Sequence, residues 1–117
     1  MPARDDARHL VVLTTLESIA DARAFVRELV SRGVVACGTI APSATSIYRW
    51  EGKITETTEA VVLLKTSRAR WQDLVNATNE LHPYKVPELL SIPVESGLER
   101  YLAWVSSETL GPEKESQ

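Results

Sequence analysis

Apolar and polar positions along this chain switch between two periods, and the switches mark its elements. Residues 10–16, LVVLTTL, form a continuous apolar and β-branched run that predicts a buried strand. Ser18 with Asp21 three residues later is a loose capping pattern for a helix that Gly33 closes. The inward positions of this helix recur at helical spacing: Ala22, Phe25, Val26, Leu29 and Val30. The chain therefore opens with a strand and a helix.

A long β-hairpin is predicted for the middle of the chain. Two β-rich runs, 34–50 and 53–66, flank the tight turn Glu51-Gly52, and a Pro-Ser pair at 42–43 interrupts the first run. Both runs exceed the usual strand of roughly five or six residues. We therefore expect a hairpin whose tip extends beyond the rest of the domain.

The second half of the chain predicts a helix, a short strand and a terminal helix. Ser67 is expected to cap the first of these helices, and Pro83 ends it because proline disfavours the helical conformation at His82. Its inward positions are Trp71, Leu74, Val75, Thr78 and Leu81. Residues 88–94, ELLSIPV, predict a final strand, and Pro93 confines it to a sheet edge. The terminal helix is marked by Leu98, Tyr101, Leu102 and Val105.

The order βαββαβ plus a helix predicts an α+β, ferredoxin-like sandwich with a long hairpin between its second and third strands. One domain spans 9–110, with mobile tails at 1–8 and 111–117. The strands are apolar on both faces, although such a sheet needs only one apolar face. Together with the long hairpin, this predicts self-association into a closed ring.

Composition excludes several partners. The 117 residues are 44% hydrophobic and carry a net charge of −3, which leaves no basic footprint for nucleic acid or an anionic membrane surface. The N-terminal stretch has an apolar run of only four residues, too short for a signal peptide or a membrane span. We therefore expect a cytoplasmic protein.

The segments VACGTIAPSATSIYRWEGKI, KT, HPYKVPELLSIPV and YLAW together resemble the CutA family of divalent-cation tolerance proteins, over roughly residues 9–107. The resemblance implies a homotrimer whose long hairpins reach neighbouring subunits, similar in architecture to the PII signalling proteins. It also implies a role in tolerance of copper and other divalent cations, without an established catalytic activity. The leading hypothesis is thus a trimeric metal-tolerance or small-ligand signalling module.

Two residues are candidate metal ligands, His82 and Cys37. The resemblance also points to departures from the family, since Thr14 stands where some members carry a cysteine and Leu81 where some carry a second histidine. One imidazole is a poor copper site, so any copper or other divalent cation is expected to bind weakly. His82 equally fits a structural role at a helix end, and Cys37 fits an inert, buried thiol.

The remaining candidates divide between a ligand cleft and an interface. Lys65, Tyr84 and Glu88 are candidates for a ligand cleft, and an enzyme at a subunit cleft would combine Lys65 and Glu88 with His82. The chain has no Gly-rich phosphate loop, nucleophile elbow, Cys-x-x-Cys or His-Glu-x-x-His motif. The trimer-interface candidates are Tyr48, Trp50 and Trp104.

Two alternatives to the leading hypothesis remain open. One is that small enzyme at the subunit cleft, and the other is a scaffold that docks an unidentified protein partner. The glutamates near the hairpin, Glu51, Glu56 and Glu59, are predicted to be solvated surface charges. The stretch 82–88, HPYKVPE, is predicted to be mainly structural, with His82 the residue to test for chemistry.

Overall fold

The computed structural model describes residues 7–110. The elements in chain order are β1 (His9–Leu16), α1 (Ile19–Ser31), β2 (Cys37–Trp50), β3 (Lys53–Ser67), α2 (Trp71–Leu81), β4 (Leu90–Pro93) and α3 (Glu99–Glu108). The four strands form one antiparallel sheet in the order β2-β3-β1-β4. The predicted ferredoxin-like fold is confirmed, and Pro93 lies on an edge strand as expected.

The predicted tails lie largely outside the described part of the chain, which begins at Ala7 and ends at Leu110. At its start, the Arg8 carbonyl accepts a hydrogen bond from the Arg68 backbone N–H at 2.8 Å. Within residues 7–110, no helix is long and apolar enough to span a membrane.

Helix α1 begins and ends where its sequence signals predict. The Ser18 hydroxyl accepts a hydrogen bond from the Asp21 N–H at 3.1 Å, and Gly33 follows the helix with a φ of +71°. Leu29 is buried, but Val30 is 42% exposed, so its predicted inward position is wrong. Val30 lies about 100° around the helix axis from Leu29, which turns it away from the sheet.

Helix α2 begins differently from the prediction. A 3-10 turn, Arg68–Arg70, precedes it, and the Ser67 side chain caps neither element. The Ser67 hydroxyl instead contacts the Thr109 hydroxyl at the end of α3, which takes it away from the helix start. The predicted end is confirmed, because His82 is the C-cap and has an extended conformation before Pro83.

The hairpin is long, as the sequence predicts, although its first arm begins at Cys37 and not at Val34. Its arms β2 and β3 contain 14 and 15 residues, and the two-residue turn Glu51-Gly52 joins them. The pair Pro42-Ser43 forms a bulge in β2, where Ser43 has a φ of +62°. The bulge and the turn therefore lie at the two residue pairs that the sequence marks as interruptions of the strands.

The two faces of the sheet are covered by different helices and to different extents. Leu10, Val12 and Leu64 are buried on the face that packs against α1 and α2. On the opposite face, called here the outer face, α3 covers one end, where His9 bonds Ser106 at 2.8 Å. The rest of the outer face exposes apolar side chains: Leu63, Leu90 and Ile92 are 38%, 54% and 49% exposed. The sheet is thus apolar on both faces, with one face only partly covered.

Candidate functional site

His82 is placed by the end of α2 and held by both of its ring nitrogens. The residue is 7% exposed, and its ring packs edge-on against Phe25, with ring centroids 5.3 Å apart. Its Nδ1 accepts a hydrogen bond from the Tyr84 backbone N–H at 3.2 Å. Its Nε2 lies 2.8 Å from the Thr15 carbonyl oxygen, which can only accept, so Nε2 carries the proton. The neutral ring therefore has no free lone pair for a metal in this arrangement.

Burial lowers the pKa of His82, and the bond to the Thr15 carbonyl and the charge of Glu59 oppose this without outweighing it. Thr14 lies on the same side, with its Oγ1 3.4 Å from His82 Nε2. Burial thus favours the uncharged form of His82.

Tyr84 connects this histidine to a carboxylate on the hairpin. The Tyr84 and His82 rings are edge-on at 4.8 Å, and the Tyr84 hydroxyl donates to Glu59 Oε2 at 2.6 Å. Burial raises the pKa of Tyr84, and the hydrogen bond to Glu59 raises it further. Burial also acts to raise the pKa of Glu59, but side-chain hydrogen bonds from Ser46, Tyr84 and Thr15 lower it below its ordinary value. At neutral pH this pair is a neutral phenol and a charged carboxylate.

Glu59 and Tyr84 lie at a cavity of about 330 Å³ beside the hairpin. The cavity, called here the Tyr84 cleft, is lined by Thr15, Tyr48, Trp50, Glu59, Tyr84, Lys85, Val86 and Glu88. Glu59 is only 8% exposed, so its predicted place as a solvated surface charge is wrong. One feature of the sequence could have indicated this position: Glu59 lies two residues before Val61 and therefore on the same face of β3, the outer face. The cleft combines three aromatic side chains with two carboxylates.

The structure brings some of the predicted site residues together and separates others. Tyr84 and Glu88 share the cleft, and so do the two interface candidates Tyr48 and Trp50. Lys65 lies elsewhere, on the outer face, where its Nζ donates to Thr39 Oγ1 at 2.8 Å. The cleft therefore combines aromatic and acidic side chains, and Lys65 is not among its lining residues.

The second candidate metal ligand lies on the other side of the sheet from His82. Cys37 starts β2 on the outer face, half-buried, with its Sγ 3.6 Å from the Tyr101 hydroxyl. This contact, followed by burial, raises the pKa of Tyr101. Trp104 packs against Tyr101 with ring centroids 5.7 Å apart. Among residues 7–110, no group of three or more His, Cys, Asp or Glu side chains is arranged to hold a metal ion.

Comparison with known proteins places the whole described domain in one family. The family model for the CutA1 divalent ion tolerance protein matches residues 10–108. The divalent-cation tolerance protein CutA of Thermus thermophilus is 39% identical over 99 residues, which are 85% of this chain and 96% of that relative. The crystal structure of CutA from Xylella fastidiosa is 34% identical, with a TM-score of 0.86 over 89% of this chain and 100% of that chain.

A third similar protein corrects the predicted location. It is the periplasmic divalent cation tolerance protein CutA from Archaeoglobus fulgidus, 28% identical, with a TM-score of 0.84 over 87% of this chain and 99% of that chain. The cytoplasmic location expected from the first residues is wrong on this finding. That expectation came from the short apolar run at the N-terminus and not from any feature of the folded domain.

Proposed function

The chain belongs to the CutA1 divalent ion tolerance family, and we propose that it serves the response to divalent cations as a homotrimer that binds a small ligand in the Tyr84 cleft. One observation carries the proposal. Glu59 is a nearly buried carboxylate that neighbouring hydroxyl groups keep charged at the cavity wall. A buried charge is costly unless other groups compensate it, and a charged group in a cleft is a candidate for ligand binding. A ligand in the cleft would contact this carboxylate.

The chemistry of the cleft favours binding over catalysis. An acid–base catalyst works best with a pKa near the operating pH, whereas the pKa of Tyr84 is raised and that of Glu59 lowered, both away from neutrality. The enzyme considered from the sequence needed Lys65 beside Glu88 and His82, and Lys65 instead bonds Thr39 outside the cleft. These observations support a binding module.

The proposed homotrimer is supported by two uncovered apolar surfaces. The outer face exposes Leu63, Leu90 and Ile92, and the hairpin tip exposes Ile54 at 73%. Exposed apolar side chains grouped in this way are typical of an interface. We place Trp50 at a subunit border, so that a neighbouring subunit would close the cleft. Trp104, exposed on α3, is the third proposed interface residue.

Sedimentation at micromolar concentration tests the assembly. We expect three chains per particle, because the apolar side chains of the outer face and of the hairpin tip can be buried only against neighbouring subunits. A stable, well-folded monomer would contradict the trimer and, with it, the closed form of the cleft.

Titration with Cu(II) tests the metal part of the proposal. Copper at His82 must displace the Thr15 carbonyl or the Tyr84 amide, and Cys37 lies on the opposite face. We therefore expect a Kd of about 0.1–1 mM, roughly −5.5 to −4 kcal/mol, in calorimetry under non-reducing conditions. His82→Gln should remove most of this binding and Cys37→Ser little of it. Submicromolar binding that survives His82→Gln would contradict the assignment.

A further inference from the structure

The charge and the surface of the Tyr84 cleft together indicate which kind of ligand it accepts. Two carboxylates and one lysine line it, which leaves one net negative charge. Among the described residues, Glu59 forms no salt bridge, and its hydrogen-bond partners are hydroxyl groups. The cavity therefore favours a ligand that carries one positive charge.

The wall of the cleft distinguishes an organic cation from a metal ion. Tyr48, Trp50 and Tyr84 present aromatic surface beside the carboxylates, and an aromatic face attracts a cation, tryptophan most strongly. Magnesium or calcium prefers several oxygen ligands and retained water, which aromatic rings do not provide. No group of three metal-ligating side chains is arranged for an ion in residues 7–110. An alkylammonium ion suits both the carboxylates and the aromatic wall, since its charge can pair with a carboxylate while its carbon atoms contact the rings.

The size of the cleft limits this cation to a small one. Its volume of about 330 Å³ is at the lower end of ligand cavities, which run from about 300 to 1,000 Å³. We propose that the Tyr84 cleft binds a small organic ammonium ion, with Glu59 as the counter-charge and Trp50 as the aromatic wall. The inference rests on the proposed function in one respect, namely that this cleft is the ligand site.

Paired probes of equal size test the ligand class on the full-length protein. Butylammonium and tetramethylammonium are titrated beside their neutral counterparts 1-butanol and tert-butanol, at constant ionic strength, while the NMR signals of the Trp50 indole and the Tyr84 amide are followed. We expect saturable shifts with the two cations and at least tenfold weaker effects with the alcohols. Equal binding of cations and alcohols would overturn the proposal, because the cleft would then be only an apolar cavity.

Matched variants locate the charge. Glu59→Gln keeps the shape and can still accept the Tyr84 hydrogen bond, and we expect it to weaken ammonium binding at least tenfold. Glu56→Gln removes an exposed charge three positions earlier on the same strand and should change binding less than twofold. Glu88→Gln, at an exposed position of the cleft, provides a second test that does not disturb the Tyr84 bond. Unchanged ammonium binding in both Glu59→Gln and Glu88→Gln would overturn the proposal.

A parallel titration with acetate and with Mg²⁺ separates this inference from the proposed function. If acetate or Mg²⁺ shifts the Trp50 and Tyr84 signals and the ammonium ions do not, the cleft is a ligand site but the ligand class is wrong. If none of the probes shifts them in the assembled protein, the ammonium proposal and the cleft as a ligand site both fail.

Discussion

The imidazole of His82 illustrates how neighbouring atoms decide what a side chain does. One nitrogen accepts the Tyr84 amide and the other donates to the Thr15 carbonyl, so the hydrogen-bond capacity of the neutral ring is used completely. A charged ring would lose the bond from the Tyr84 amide, because Nδ1 would then carry a proton. His82 is therefore a structural connection between β1, α2 and the cleft.

Stability should fall as the pH drops through the range in which His82 titrates. Its pKa is lower in the folded state than the ordinary value of 6.5. Between these two values the unfolded chain binds more protons, so stability is complete above pH 6.5 and declines as the pH falls toward the folded pKa. Urea unfolding at pH 7.5, 6.5, 5.5 and 5.0 measures this decline.

His82→Gln should flatten that part of the profile, because the variant has no ring to protonate. An equal decline in wild type and His82→Gln would contradict the assignment.

The hairpin shows how local and long-range requirements meet within one element. Its two-residue turn has positive φ at both positions, +51° at Glu51 and +83° at Gly52, as a type I′ turn requires. This turn twists its arms in the sense of the sheet, which allows strands of such length to remain paired. Glycine adopts this conformation readily, whereas glutamate does so at a cost.

Substitutions in the turn should change stability in opposite directions. Glu51→Asn is expected to raise the free energy of unfolding by about 0.5–1 kcal/mol, since asparagine tolerates positive φ better. Gly52→Ala is expected to lower it by about 1–2 kcal/mol. A Cβ atom at Gly52 would meet nothing within 4 Å, so this loss is conformational and not steric. Chemical denaturation measures both, and a stabilising Gly52→Ala would contradict the turn geometry.

At the scale of the whole molecule, the sheet has more apolar surface than one chain can bury. Helices α1 and α2 cover the centre of one face, while α3 covers only an end of the outer face. Leu63 lies near the middle of the uncovered part, between Thr39 and Leu13 in the strand register. The proposed homotrimer would remove this surface from water.

A charge on the outer face should therefore dissociate the proposed trimer. Leu63→Glu would bury a carboxylate at the interface, a cost that the nearby Lys65, bonded to Thr39 opposite Leu63, would offset only in part. We expect the association to weaken at least about tenfold. Val30→Glu is the matched control, because Val30 is exposed to a similar extent, 42% against 38%, but lies on α1. Sedimentation over a range of concentrations compares the two. Equal association of Leu63→Glu and wild type would place the subunit contact elsewhere.

Most of the fold could be predicted from the sequence, because the signals that specify it are local. The Ser18 cap, the break at Pro83, the tight turn at Glu51-Gly52 and the edge position of Pro93 each depend on the backbone limits of a few neighbouring residues. The capping of α2 by Ser67 failed because a distant hydroxyl, that of Thr109, competes for the same side chain.

The candidate site was decided by tertiary structure. Glu59 and Tyr84 are 25 residues apart, and His82 is 67 residues from the carbonyl it contacts. Sequence patterns predict which way a residue points on its own element, but the partner that it meets depends on how the elements pack. The glutamate was therefore predicted to be an ordinary surface charge, and only the packing of the segment after α2 against the hairpin made it the buried carboxylate of a cleft.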